Sequence, residues 1–192
     1  MLSAVNTCTK ENRFLEPRFL VVTGIVLAAA ALRIAPHPLN FTPIGGLALF
    51  GGAYFTSKRA AFGIPLLSLV AGDVFIGFHW LIPWVYASFL VSVAIGSWLR
   101  PEKSAPRIGV ATIAGAIQFF LISNFGLWAS SYSTYSKTAA GLIACYIAGI
   151  PLFWNTLAGD GFYVALLFGG MALAARQFPA LREPFSARPA LN

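Results

Sequence analysis

Long apolar runs separated by short polar breaks fill residues 18 to 175. A membrane-crossing helix takes about 20 mostly apolar residues, with a range of about 17–25. On that measure the runs at 18–35, 43–57, 60–78, 81–99, 108–127 and 155–175 predict six spanning helices. The second run, "IGGLALFGGAYF", is short and rich in glycine. A further apolar stretch, "TAAGLIACYIAGI" at 138–150, is shorter still and ends at Pro151. A proline at that point predicts a re-entrant or surface helix rather than a seventh span. The pattern therefore predicts an all-α integral membrane protein. Its parts are a cytoplasmic segment 1–17, a six-helix transmembrane domain 18–175 and a cytoplasmic tail 176–192.

Composition agrees. Hydrophobic residues make up 58% of the 192 residues and charged ones 10%. Soluble domains carry about 25% charged residues, so this chain lacks the means to cover a water-facing surface. The net charge of +7 does not point to nucleic acid, because the basic residues are scattered at the ends of apolar runs. With six spans and the N-terminus inside, the inner segments collect Lys10, Arg13, Arg18, Lys58, Arg59, Arg100, Lys103, Arg107, Arg176, Arg182 and Arg188. Of the thirteen Lys and Arg, Arg33 and Lys137 alone fall outside, as the positive-inside rule requires. Lys10, Glu11, Arg13 and Glu16 precede the first run, so a retained first span is expected rather than a cleaved leader.

This orientation gathers the unusual residues on the outer side. "RIAPHPLNFTPIGG", residues 33–46, brings Arg33, His37 and Asn40 into a connection stiffened by prolines. Asp73 lies in the outer part of the third span, followed by His79 and Trp80. "SNFGLW" ends the fifth with Ser123, Asn124 and Trp128; Tyr132, Tyr135 and Lys137 follow, and Asn155 and Asp160 open the sixth. A carboxylate within a span costs about 2.5–3.5 kcal/mol at the helix centre on insertion scales, so it faces a cavity or a partner. For Asp73 and Asp160 a capping role, or a pair with Arg33 or Lys137, competes evenly with a functional role. The histidines are more often interfacial groups bonded to backbone, and no third ligand at metal-site spacing accompanies them. Trp80, Trp84, Tyr86, Trp128, Tyr132 and Tyr135 fit an interfacial belt. "WASSYSTYSK" also has the length and chemistry of a lid over an aromatic pocket.

Gly24, Ala28, Ala31 and Ala35 share one face of the first span, and "GGLALFGGA" offers Gly45, Gly46, Gly51, Gly52 and Ala53. Small faces let helices approach closely, and packing within the chain is the expected use, with a partner-helix face as the functional alternative. Cys8 and Cys145 stand far apart and imply neither a disulfide nor a metal framework. No nucleotide loop, GxSxG elbow, HExxH or paired-cysteine motif is found, and no cofactor is expected. The inner halves of the spans read as almost purely apolar.

The stretches "PHPLNFTPIGGLALFGGAYF", "PLLSLVAGDVFIGFHW", "VYASF", "FFLISNFGLW" and "GLIACYIAGIPLFWNTLAGD" resemble an uncharacterised family of small bacterial membrane proteins. That family looks like a relative of the substrate-binding S components of energy-coupling-factor (ECF) vitamin transporters. The resemblance spans about residues 30 to 170. It implies a six-helix, multi-pass protein of the bacterial inner membrane that binds a vitamin-like small molecule from outside. It also implies a coupling module of one transmembrane subunit and ATPases, which topples the S component to release its ligand. His37, Asn40, Asp73, His79, Asn124 and Asn155 would lie near that ligand. The Ala-x-x-x-Ala pair of S components is matched by Ala31 and Ala35 near the outer end, and more loosely by Gly24 and Ala28. A solitary cobalamin-type protein is a further implication, with His79 as axial ligand of a corrinoid. For capture of a vitamin-like molecule in general, Asn40, Asp73, His79 and Asn124 are expected to supply polar contacts, Trp80 and Trp128 walls, and residues 129–137 the lid. Two alternatives stand beside uptake: a structural scaffold subunit, and a membrane enzyme using Asp73, His79 and Asp160 on a lipid-borne substrate.

Overall fold

The computed structural model describes residues 16–34, 36 and 38–182, the side chain of Ile34 excepted. Among the described residues every regular element is helical. Six α-helices follow in order: α1 Pro17–Ala31, α2 Ile44–Tyr54, α3 Lys58–Ile76, α4 Ile82–Trp98, α5 Ala105–Ala129 and α6 Ala139–Gln177. Short 3-10 turns at Leu32–Ile34 and Pro179–Leu181 complete them. Starts are set by familiar devices. Prolines occupy the first turn of α1, α4 and α5, where the missing N–H costs nothing. Thr138 caps α6 by accepting from the Gly141 N–H at 3.2 Å. Gly77, at φ +105°, ends α3 in a conformation that side chains disfavour.

Three helices, α3, α5 and α6, are long and apolar enough to cross a membrane. α1, α2 and α4 are apolar but shorter. The expected run 43–57 contracts to the 11 residues of α2, about 16 Å at 1.5 Å per residue. α2 is buried on nearly every side and forms the axis of the bundle, packed chiefly on α4 and α6. That burial explains its composition. Added Cβ atoms would meet the Ser97 N at 2.8 Å from Gly52, and the Leu49 Cα at 2.7 Å from Gly96, so α2 and α4 touch backbone to backbone. Gly51 likewise leaves room for Pro65 of α3, whose ring lies 2.5 Å from an added Cβ.

The stretch 138–150 departs from expectation. It is no separate re-entrant helix but the first third of α6, which runs unbroken for 39 residues. Pro151 sits inside it without ending it. A proline interrupts one backbone bond, and packed neighbours can absorb that loss in apolar surroundings. At about 1.5 Å per residue α6 is about 58 Å long, well beyond one bilayer core of about 30 Å.

The bundle has two unlike ends. At one, Arg18 and Lys103 lie over the Tyr54 ring, Arg100 Nε donates to the Gly52 carbonyl and Arg107 pairs with Glu102 at 2.9 Å. Arg182 donates to the Ala175 carbonyl, and Leu181 is buried against the bundle, so its packed part continues past residue 175. At the other end Arg33 and Lys137 are the described lysine and arginine residues. Lys10, Arg13 and Arg188 lie outside the described residues. α1 buries Val22, Val26, Ala29 and Ala30, while Gly24, Ala28 and Ala31 face outward. The expectation that this small face packs within the chain is therefore corrected: the stripe at 22, 26, 29 and 30 takes the core at helical spacing, which turns Gly24, Ala28 and Ala31 outward together with Leu20 and Leu27. Nothing approaches an added Cβ on Gly24 within 4 Å, and Ala35 lies outside the described residues.

Candidate functional site

At the Arg33 end the helices part around a cavity of about 300 Å³. Its walls come from the start of α2, the first half of α4, the last half of α5 and the middle of α6. Phe89, Phe119, Phe120 and Phe153 give it an aromatic body. Polar groups interrupt that body at Asn40, Thr42, Ser92, Ser123, Asn124, Thr156 and Asp160, with Arg33 and His79 also on the lining. Below Ser92 and Gly115 the bundle closes on Leu49 and Val93, which are fully buried.

Asp160 is the chemically distinctive wall. It is 4% exposed and forms no ion pair among the described residues. The backbone N–H groups of Gly45 and Gly46, in the first turn of α2, face its carboxylate. They lie at the positive end of the helix dipole, which stabilises a negative group. A Cβ on Gly45 would overlap the carboxylate, so glycine there is a condition of the arrangement.

Asp73 is engaged elsewhere. Its Oδ1 pairs with Arg33 Nη2 at 2.8 Å, and its Oδ2 accepts from the Tyr86 hydroxyl at 2.8 Å. Arg33 also donates to the Leu69 carbonyl at 3.2 Å. Asp73 is not on the cavity lining; it holds Arg33, which is. Gly72 leaves the guanidinium its space, since an added Cβ would stand 3.1 Å from Nη1.

The remaining expected site residues divide. Asn40, His79, Asn124 and Asp160 share the cavity. Asn40 holds φ +61°, a left-handed conformation that asparagine tolerates better than most residues. Asn155 is not on the lining but donates from Nδ2 to the Leu39 carbonyl at 3.0 Å, tying α6 to the 38–43 connection. Trp80, Trp128, Tyr132 and Tyr135 stand outside the lining as well. Trp80 stacks on Tyr132 with centroids 5.5 Å apart and planes at 27°. Trp128 Nε1 donates to the Ser136 carbonyl at 2.9 Å, and Lys137 Nζ donates to the carbonyls of Trp128 and Ser130. Residues 129–137 thus form a self-bonded loop latched to the α3–α4 connection by that stack. His37 lies outside the described residues.

Thr42, Ser92 and Thr156 also line the cavity, and as small residues they carry no distinctive signal in the sequence. Gln118 lies behind the wall, against Ser92. Gln118 Nε2 has three acceptors within reach of its two hydrogens, Ser92 Oγ at 2.7 Å, the Ser88 carbonyl at 3.0 Å and the Gly115 carbonyl at 3.1 Å, while its Oε1 is buried without a partner among the described residues. A lone glutamine amid "GAIQFF" was the available signal, because amides deep in an apolar helix bond across helices. Cys145 is a free, buried thiol, with Sγ 3.5 Å from the Asn124 carbonyl. No group of three metal-ligating side chains exists among the described residues.

The chain belongs to DUF6580, a family of unknown function, which matches residues 14–181. No curated protein and no solved structure matches it.

Proposed function

We propose that this family member is a six-span protein of the bacterial inner membrane that captures a small vitamin-like solute at the outer face for uptake. Both termini lie in the cytoplasm on this reading, because the basic end of the bundle then faces inward. The observation that carries it is the cavity: aromatic walls, a few placed polar groups, and closure by Leu49 and Val93 toward the basic end. Residues 129–137, latched through Trp80 and Tyr132, act as the lid.

The size of the cavity refines the ligand. About 300 Å³ is the lower end for pockets that take drug-sized molecules, and it suits a solute of one or two rings. A corrinoid is several times larger, so the small-solute form of the proposal replaces the cobalamin-type one. The outward small face of α1, Gly24, Ala28 and Ala31, supports a second membrane subunit as the energy-coupling partner, in the manner of an ECF module. The lipid-enzyme reading needed Asp73, His79 and Asp160 within mutual reach. Asp73 is held by Arg33 and Tyr86 instead.

The test is chemical. Protein purified in mild detergent is denatured, and the released small molecules are identified by mass spectrometry. A stoichiometric solute, absent from a Gly149→Phe variant that fills the cavity, is the expected result. An added Cβ at Gly149 would already lie 2.6 Å from Asn124 Oδ1 and 3.0 Å from Phe120 Cε2. Equal recovery from both proteins, or none from either, would argue against capture.

A further inference from the structure

We infer that the captured solute carries a protonated nitrogen, received by Asp160, on a flat apolar body held among the phenylalanines. The inference rests on the capture reading and adds the charge class of the ligand. Among the described residues three titratable groups line the cavity: Arg33, His79 and Asp160. The charge of Arg33 is already matched by Asp73 at 2.8 Å. Among the described residues Asp160 has no such match, although it is 4% exposed and lies on the cavity wall. A buried carboxylate without a counter-ion is costly, and the two glycine N–H groups supply only partial positive charge.

A cationic solute supplies the missing partner. It completes an ion pair at a carboxylate that is almost fully buried, where charge-assisted bonds are strong. The walls add to this preference. Phe89, Phe119, Phe120 and Phe153 line the cavity, and an aromatic face attracts a cation through the ring quadrupole. An anionic solute would instead meet Asp160 with like charge. Gly45 fits the same picture: it lets the α2 backbone seat the carboxylate at the wall, where any side chain would push it away.

The experiment uses the full chain in detergent and three probes of one shape: benzamidinium, benzamide and benzoate. Each is small enough for the cavity. Unfolding temperature is read against probe concentration for the wild type and for Asp160→Asn. Benzamidinium should stabilise the wild type at concentrations at least about tenfold lower than benzamide, the factor expected of a desolvated charge pair. Asp160→Asn should erase that difference. Equal effects of benzamidinium and benzamide, or a stronger effect of benzoate, would overturn the inference in the wild type alone, so it does not depend on the variant folding. Retained cation preference in Asp160→Asn would overturn it too. The charge of the copurified solute separates the two claims. A protonated nitrogen compound supports both, and a neutral or anionic one sinks the cation inference and leaves capture standing. No solute and no response to any probe would sink both.

Discussion

Replacing Asp73 with asparagine keeps the side chain's shape and removes its charge. The consequence can be worked from the geometry. The Arg33–Asp73 pair spans 2.8 Å, and the two side chains are 10% and 4% exposed. Removing one partner of a buried pair costs about 3–5 kcal/mol, because the other charge is left without compensation. Asparagine can still accept from the Tyr86 hydroxyl, and Arg33 keeps the Leu69 carbonyl, so the lower figure applies. For a chain of 150–250 residues each kcal/mol moves the unfolding midpoint by about 2–4 °C, giving an expected fall of about 6–12 °C. Thermal unfolding in detergent measures it. A second variant, Arg33→Gln with Asp73→Asn, removes both charges and should recover a good part of the loss, as coupled residues do. A fall below about 2 °C, or a double variant that loses the sum of the two singles, would refute the claim that this pair fixes α3 to the segment after α1.

Three further outcomes follow from particular contacts. Gly96→Val drives a side chain into the Leu49 backbone, which cannot yield as a flexible neighbour would, so the variant should fail to elute as a folded monomer; wild-type elution and melting would contradict the close α2–α4 crossing. Trp80→Ala removes the stack on Tyr132, worth about 0.5–1.5 kcal/mol, and should speed release of the copurified solute by about 2- to 12-fold, read by wash-off kinetics; an unchanged rate would show that this stack does not latch the lid. Gly45→Ala places a methyl on the Asp160 carboxylate and should lose the solute while the protein stays folded, with retention at wild-type level counting against Asp160 as a contact.

Much of the fold was legible where charge and proline mark helix ends. Lys58 and Arg59 begin α3, and Arg100 with Pro101 ends α4, so the expected 60–78 and 81–99 lie close to the observed Lys58–Ile76 and Ile82–Trp98. Pro151 misled for the opposite reason: a signal that stops helices in water does not stop one whose neighbours and apolar setting favour continuation. The glycines of α2 announced close packing but not that α2 would be the axis, because that depends on how all the other helices surround it. That Asn40, His79, Asn124 and Asp160 would be neighbours was legible through their placement at one end. That Tyr86 turns toward Asp73, or that Gln118 reaches Ser92, depends on helix rotation, which an almost uniformly apolar periphery does not encode.

The most direct test of outward capture places a single cysteine on the cavity wall. Thr156 lines the cavity one turn before Asp160. Thr156→Cys, in a chain with Cys8→Ser and Cys145→Ser, is exposed to a membrane-impermeant thiol reagent on right-side-out and on inverted vesicles. Reaction from the outer side, slowed by the copurified solute, is the predicted result. Reaction from the cytoplasmic side alone, or a rate the solute does not change, would contradict the account.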